Sequence, residues 1–108
     1  MRVYIAGPYT QGDVVLNVRA AIEAADVVLK SGHVPYLPHL TMFWHLVCPS
    51  PYEQWMALDL QWLLQCQAVI RLPGASSGAD REVATAHYWG LPVFGSVSAF
   101  LEAYPATV

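Results

Sequence analysis

The sequence predicts an α/β protein in which a parallel sheet of about four to five strands lies between two layers of helices, a Rossmann- or flavodoxin-like three-layer α/β/α sandwich. Two observations predict it: apolar strand patterns alternate with amphipathic helix patterns, and the loops between them are short. The 108 residues suit a single domain, 1–108, with a core of ordinary size. Ligands of such sheets bind at the carboxyl ends of the strands.

The predicted order of elements is strand 2–6, helix 13–31, strand 34–37, helix 50–65, strand 68–72, helix 79–89, strand 91–94 and helix 97–104. The first strand is β-rich and ends at Gly7-Pro8, and the first helix has apolar residues at helical spacing. That helix closes with Lys30 in its last turn and Gly32 after it. Pro35 in the second strand suits the edge of a sheet, and the aromatic segment His39–Pro49 has no clear period.

The second half of the chain contains two helix starts. Ser50-Pro51-Tyr52-Glu53 predicts an N-cap serine, a proline at the first helical position and a glutamate that completes a capping box. The third strand leads into Leu72–Glu82, a loop of small residues that opens a helix with Glu82 in its first turn. Gly90 ends this helix, and a short strand and a last short helix follow.

The composition and net charge of the chain argue for some classes of partner and against others. Hydrophobic residues make up 56% of the chain and charged residues 12%, so we expect a homo-oligomer with His39–Pro49 as the candidate contact. The net charge is −3 and the basic residues are scattered, which argues against duplex nucleic acid and membranes as partners. No apolar run approaches a membrane span and the chain enters a strand at once, so we expect a cytoplasmic protein. Cys48 and Cys66 lack metal-ligand spacing and are expected to be free thiols, with Cys66 in the core.

The loop Leu72–Glu82 has both a functional and a structural interpretation. It presents backbone N–H groups and a helix N-terminus, which favour anions and above all phosphate. The structural alternative is equally simple, because turns of this kind prefer small residues and acidic residues are favoured in a first helical turn. Asp80 is such a first-turn acid, or an acceptor for N–H groups of the loop.

Asp59 is the residue that a purely structural interpretation explains least well. Its predicted helix places it opposite a polar side marked by glutamines and among apolar residues. Desolvation there raises a carboxyl pKa, as a proton donor near neutral pH requires; the alternative is a rim position with a hydrogen bond to backbone or hydroxyl. With Glu82 kept ionised by the helix N-terminus, the two would form a carboxylate pair. Such pairs cleave glycosidic bonds without a metal.

Other candidates lie at the same predicted edge. Tyr4, Gly7 and Tyr9 flank the exit of the first strand, where a hydroxyl can orient a carboxylate, although each tyrosine is as readily a packed aromatic. His39 and His45 have no metal-ligand spacing and suit a hydrogen-bonded core or rim position; their aromatic segment suits stacking on a base or a subunit contact. We predict neither metal nor cofactor, since no GxGxxG fingerprint or Walker A lysine is present.

Taken together, these residues resemble the nucleoside 2-deoxyribosyltransferase-like superfamily. That superfamily includes deoxyribosyltransferases, nucleoside 5′-monophosphate N-glycosidases and small uncharacterised bacterial and phage proteins that open with YIAGPY. The matching positions are Tyr4 to Tyr9, Asn17, Gly32-His33, Pro35, Pro38, Trp55-Met56, Asp59, Arg71 to Gly74, Ser76, Gly78 to Asp80, Glu82 and Gly90 to Val93. The resemblance implies that Glu82 is the nucleophile, that Asp59 helps to protonate the leaving base and that Tyr4 contacts the glutamate.

The resemblance also implies a phosphate cradle. Ser76 and Gly78 match the Ser-x-Gly that holds the 5′-phosphate in the monophosphate hydrolases, whereas the transferases tend to have an acidic residue where Ser76 stands. Gln67 replaces an aspartate that relatives often have near the site, and Val83 replaces a glycine. The implied activity is hydrolysis of the N-glycosidic bond of a nucleoside 5′-monophosphate. The alternatives are a nucleoside 2-deoxyribosyltransferase and a nucleotide-binding sensor or sequestering module without catalysis.

Overall fold

The computed structural model describes residues 1–107, which form a four-stranded parallel sheet with helices on both faces. The strands are β1 (Arg2–Ala6), β2 (Val34–Tyr36), β3 (Ala68–Arg71) and β4 (Val93–Phe94). The helices are α1 (Val14–Lys30), α2 (Thr41–Val47), α3 (Tyr52–Leu63), α4 (Ser77–Tyr88) and α5 (Val97–Ala103). The strand order β2-β1-β3-β4 confirms the predicted α/β fold and places β2 at an edge.

The two central strands separate two layers of helices, because successive side chains of a strand point to opposite faces. Val3 and Ile5 of β1 pack in one buried cluster with residues of α1 and with Phe100 of α5. Tyr4 and Ala6, which alternate with them, pack in a second cluster with residues of α3 and α4. Cys66 belongs to this second cluster, which confirms its predicted core position.

The first helix is bounded as its sequence predicts. The Asp13 side chain accepts a hydrogen bond from the backbone N–H of Leu16 at 3.1 Å and caps the N-terminus. Lys30 is the last helical residue, and Gly32 follows with a φ of +90°, a conformation that L side chains rarely adopt. No helix in residues 1–107 has the length and apolar character needed to cross a bilayer.

The aromatic segment after β2 is more regular than its sequence predicts. A single 3₁₀ turn, Pro38–Leu40, leads directly into α2. None of the seven residues of α2 is buried, and Phe43 and Trp44 are 62% and 56% exposed. A helix of about two turns that buries none of its apolar residues gives too short a pattern to show a helical period, which is why the sequence did not predict it.

The predicted capping box at Ser50-Pro51-Tyr52-Glu53 is wrong. Pro51 is the N-cap of α3, and no side chain bonds the first turn. The backbone N–H of Ser50 donates instead to His45 Nδ1 at 3.2 Å, and Glu53 forms an ion pair with Arg81 of α4 at 2.9 Å. The Ser50 N–H that a capping box would pair with Glu53 therefore bonds to α2, and the Glu53 carboxylate bonds to α4.

The start of α4 also differs from its prediction. Ser76 caps the helix by accepting a hydrogen bond from Ala79 N–H at 3.1 Å, so the helix begins at Ser77 and not at Ala79. Glu82 is consequently the sixth helical residue and lies in the second turn, while Asp80 is the acidic residue of the first turn. The predicted first-turn position of Glu82 is therefore wrong.

Candidate functional site

The carboxyl ends of the strands open onto a cavity of about 460 Å³. Its wall includes residues from three segments at the carboxyl ends of β1, β2 and β3, namely 4–9, 38–45 and 73–82, together with residues of α3. The candidates from the sequence that line it are Gly7, Tyr9, His39, His45, Asp59, Ser76, Gly78 and Glu82. Tyr4 lies beside the cavity wall, in contact with Glu82, and Asp80 does not line the cavity.

Glu82 is held in a buried position by Tyr4. Its residue is 5% exposed, Tyr4 has no exposed surface, and the Tyr4 hydroxyl donates a hydrogen bond to Glu82 Oε2. Burial raises the pKa of Glu82 to about 7, although the Tyr4 hydrogen bond lowers it and Arg71 also lowers it. The predicted influence of the helix N-terminus on Glu82 is therefore wrong, because the residue lies in the second turn of α4 and burial sets the direction of its pKa shift.

Asp59 faces the same cavity from α3. Its Oδ1 atom is buried and has no hydrogen-bond partner among the described residues. Burial raises the pKa of Asp59 to about 7, which confirms the effect predicted from its place on the apolar side of the helix. The hydrogen bond to backbone or hydroxyl that would make Asp59 structural is not formed at Oδ1 within residues 1–107.

The two carboxyl groups influence each other. The negative charge of Asp59 contributes to the raised pKa of Glu82, so the ionisation of one opposes that of the other. Burial and the neighbouring carboxylates also raise the pKa of Tyr4, which therefore keeps its proton and remains a donor. The arrangement can hold one proton on the pair near neutral pH, with the phenol directed to Glu82.

The N-terminus of α4 forms another part of the wall. Ser76 Oγ accepts from Ala79 N–H, and the N–H of Ser77 donates to Gln11 Oε1 at 2.7 Å. Gly78 is closely packed, because a Cβ atom there would lie 3.0 Å from Tyr52 Oη and 3.2 Å from Met56 Cε. The absence of a side chain at Gly78 thus lets α3 approach this end of α4.

Asp80 has a structural partner outside the cavity. Arg71 Nη2 donates to the Gly74 carbonyl at 2.9 Å and pairs with Asp80 Oδ1 at 3.1 Å, and Nη1 donates to the Leu72 carbonyl. The side chain of the last β3 residue therefore ties the loop to the first turn of α4. Asp80 acts in this contact as an anchor for the loop.

The two histidines of the wall have different hydrogen-bond patterns. His39 Nε2 donates to the Pro8 carbonyl at 3.0 Å, while its buried Nδ1 has no partner in residues 1–107. Burial lowers the pKa of His39, so the ring is neutral and Nδ1 is an acceptor. His45 Nδ1 accepts from Trp55 Nε1 at 2.8 Å and from Ser50 N–H, so in the neutral ring Nε2 carries the hydrogen.

Sequence reasoning missed several residues of the wall. These are Thr10, Gln11, Pro38, Thr41, Ser50, Tyr52, Trp55, Met56, Ser77 and Ala79. Three of them were available from the position of Asp59, since Tyr52, Trp55 and Met56 share its helix face at spacings of seven, four and three residues. No group of three or more His, Cys, Asp or Glu side chains that could hold a metal is present in the described chain.

Gln67 lies away from the cavity. Its side chain accepts from Arg2 N–H at 2.9 Å and its own N–H donates to the Arg2 carbonyl at 2.8 Å. Both residues are at the amino ends of their strands, opposite the edge that carries the site. The replacement of an acidic residue at this position therefore leaves the cavity wall unchanged.

The fold and the cavity together define an α/β protein with a carboxylate-lined site at the carboxyl edge of its sheet. Residues 1–95 match the family model described as a domain of unknown function, DUF7768, and the chain belongs to that family. No curated protein matches the chain.

Among solved structures, the chain is similar to a 2-deoxyribosyltransferase from the psychrotolerant bacterium Bacillus psychrosaccharolyticus. The TM-score is 0.64 and the identity 17%, over 86% of this chain and 69% of that one. This likeness shows that the two proteins share the α/β fold.

Proposed function

We propose that the protein hydrolyses the N-glycosidic bond of a nucleoside 5′-monophosphate, giving a free base and a sugar 5-phosphate. The observation that carries this proposal is the buried Glu82 carboxylate, bonded by Tyr4, in one cavity with Asp59 and the N-terminus of α4. Keeping two carboxyl groups with raised pKa values in one cavity costs folding free energy. A site that needs one carboxylate and one carboxylic acid accounts for that cost.

In the proposed reaction, Glu82 is the nucleophile and Asp59 the proton donor. A Glu82 oxygen bonds to C1′ as the bond from C1′ to the base breaks, and the carboxyl proton of Asp59 passes to the base nitrogen that receives the electron pair. Water then attacks C1′ and gives a proton to Asp59, while the ester bond breaks and returns the Glu82 carboxylate. Tyr4 holds the carboxylate in place.

The N-terminus of α4 is the proposed place of the 5′-phosphate. The Ser76 hydroxyl accepts from Ala79 N–H, which leaves its own hydrogen available for a phosphate oxygen. The partial positive charge of a helix N-terminus supports an anion at the same place. Asp59 and Glu82 are the acidic residues among those described in the cavity wall, and the other lining residues, Gly7 and Tyr9 among them, carry no carboxylate that would compete with a phosphate.

The test is release of base from a panel of ribo- and deoxyribonucleoside 5′-monophosphates, with the free nucleosides beside them, followed by chromatography. We expect release from monophosphates only, reduced at least about a hundredfold in Glu82→Gln because the nucleophile is lost. Glu102→Gln is the matched control, since Glu102 is an exposed residue of α5 outside the cavity wall. Equal release by wild type and Glu82→Gln would overturn the assignment of Glu82.

Deoxyribosyl transfer is the second candidate, and the likeness to a 2-deoxyribosyltransferase favours it. That protein is described as a biocatalyst for the synthesis of nucleosides. A transferase passes the glycosyl group from Glu82 to a second base instead of to water. Addition of a free base to the reaction would then yield a new nucleoside, whereas a hydrolase yields the same sugar 5-phosphate with or without it.

A nucleotide-binding module without catalysis is the remaining alternative. It would bind a nucleoside 5′-monophosphate and release no base, and Glu82→Gln would leave its affinity unchanged. Calorimetry with the panel, run beside the release assay, separates this outcome from a failure to bind.

We also propose that the protein is a homo-oligomer. Four apolar residues of α2 expose more than half of their surfaces, next to a cavity wall that includes His45: Phe43, Trp44, Leu46 and Val47. Gel filtration should give a mass above that of one chain at micromolar concentration. A monomer peak would overturn this part of the proposal.

A further inference from the structure

Gln11 occupies a position that has no role in the reaction proposed above. It lies on the exposed loop between β1 and α1, whose backbone is held by Asn17: Nδ2 donates to the Tyr9 carbonyl at 3.0 Å and to the Gln11 carbonyl at 2.8 Å. The Gln11 side chain extends across the cavity rim, and Oε1 accepts from Ser77 N–H at 2.7 Å. The loop backbone is therefore fixed while the side chain makes the contact.

That contact uses one of the donors that an anion would need. Ser77 is the first residue of α4, and Ala79 N–H is taken by the Ser76 cap. The N–H of Gly78 forms no hydrogen bond with any described residue. The N–H groups of Ser77 and Gly78 are thus the two that remain for a ligand at this helix end, and the neutral amide oxygen of Gln11 accepts from the first of them.

A separate observation indicates that the cavity receives a ligand. His39 is 4% exposed and lines the cavity, and its Nδ1 is a buried acceptor without a partner. Asp59 Oδ1, in the same cavity, is also unpartnered. Buried polar atoms are nearly always paired, so these two atoms point to a ligand with hydrogen-bond donors, such as sugar hydroxyls or base N–H groups.

We propose that Gln11 is a placeholder for the anionic group of the ligand and sets the affinity of the site for it. A phosphate that reaches α4 takes the Ser77 N–H, and the Gln11 amide turns away from it. Wild-type affinity is then lower than the helix end alone would give, because one hydrogen bond must first be broken. This inference rests on the proposed function only in placing a phosphate at α4.

The test is a titration of ¹⁵N-labelled protein with inorganic phosphate at pH 8, following the amide signals of Ser77 and Gly78. Gln11→Ala should lower the Kd about two- to tenfold, the range that the net worth of one hydrogen bond allows. Gln11→Glu should raise the Kd, because a carboxylate at the helix end competes with the anion and repels it. Gln61→Ala, an exposed residue of α3 outside the cavity, should bind like wild type.

Each result has a distinct meaning. An unchanged or higher Kd in Gln11→Ala, with Ser77 and Gly78 still responding, overturns the placeholder and leaves the phosphate site intact. If neither amide signal shifts on addition of phosphate in any variant, the placeholder and the α4 phosphate site are overturned together. Tighter binding in Gln11→Ala supports the placeholder even where the base-release assay fails. Gln11→Asn, one methylene shorter, is a second variant and should behave like Gln11→Ala.

Discussion

The layer of α1 and α5 and the cavity beside α3 and α4 differ in whether their buried polar groups have hydrogen-bond partners. In the layer of α1 and α5, the buried His33 has both ring nitrogens within hydrogen-bond distance of partners, the Met1 amino group at 3.3 Å and the Tyr104 carbonyl at 3.1 Å. In the cavity beside α3 and α4, His39 Nδ1 and Asp59 Oδ1 have none among residues 1–107. The buried imidazole of the first layer therefore has its hydrogen bonds within the protein, whereas two buried polar atoms of the cavity have no protein partner, which costs stability.

The largest expected effect is a loss of stability from the α1 and α5 layer. Phe100 is fully buried and its ring packs against His33 and Phe94, with centroids 4.9 and 5.6 Å away. Phe100→Ala should lower the free energy of unfolding by about 3–5 kcal/mol, measured by urea denaturation. A loss below about 1 kcal/mol would show that this layer is not the main source of stability.

The next effect has the opposite sign and lies in the other layer. The raised pKa of Glu82 means that, between pH 4.5 and 7, the folded protein holds a proton that the unfolded chain releases. The contribution of Glu82 to the free energy of unfolding is therefore fully present below pH 4.5 and is lost as the pH rises through 7. Glu82→Gln stays neutral and keeps an acceptor for Tyr4, so it should be more stable than wild type at pH 8 by up to about 3 kcal/mol.

The control for this prediction is the same substitution on the first layer. Glu102→Gln, exposed on α5, should change the free energy of unfolding by about 0.5 kcal/mol or less at any pH. Urea denaturation at pH 5 and pH 8 measures both variants. A Glu82→Gln protein that is less stable than wild type at pH 8 would contradict the assignment of a destabilising buried carboxylate.

The smallest expected effect concerns the hydrogen bond that Tyr4 donates to Glu82. The Tyr4 hydroxyl lowers the pKa of Glu82, so Tyr4→Phe should raise that pKa further while costing about 1 kcal/mol of stability for the lost hydrogen bond. Carbon NMR of the Glu82 carboxyl group measures the titration directly. If the pKa stayed the same or fell, the hydrogen bond would not be one that stabilises the carboxylate.

The fold was predictable because its signals are local and repeated. The strand 2–6 and the helix that Asp13 caps and Gly32 ends agree with the structure to within a residue. The capping box failed because its two polar residues found partners on other helices, His45 for Ser50 and Arg81 for Glu53. A motif of four consecutive residues contains no information about such tertiary contacts.

The site was predictable only in part, for the same reason. The helix period placed Asp59 on the apolar side, and Asp59 does line the cavity, with a pKa raised by burial. The environment of Glu82 was misjudged because the Ser76 cap makes the helix begin at Ser77, two residues before the predicted start. Gln11 and the partner pattern of His39 depend on contacts more than thirty residues apart in the chain, which no local pattern encodes.

The edge strand β2 has a consequence for how copies of this protein can associate. Val34 N–H bonds to the Met1 carbonyl within the sheet, so the next residue, Pro35, directs its backbone nitrogen to the open side. A proline nitrogen carries no hydrogen, and β2 has only three residues. This border of the sheet therefore offers no N–H to an incoming strand, which protects against uncontrolled strand addition and directs association to contacts between side chains.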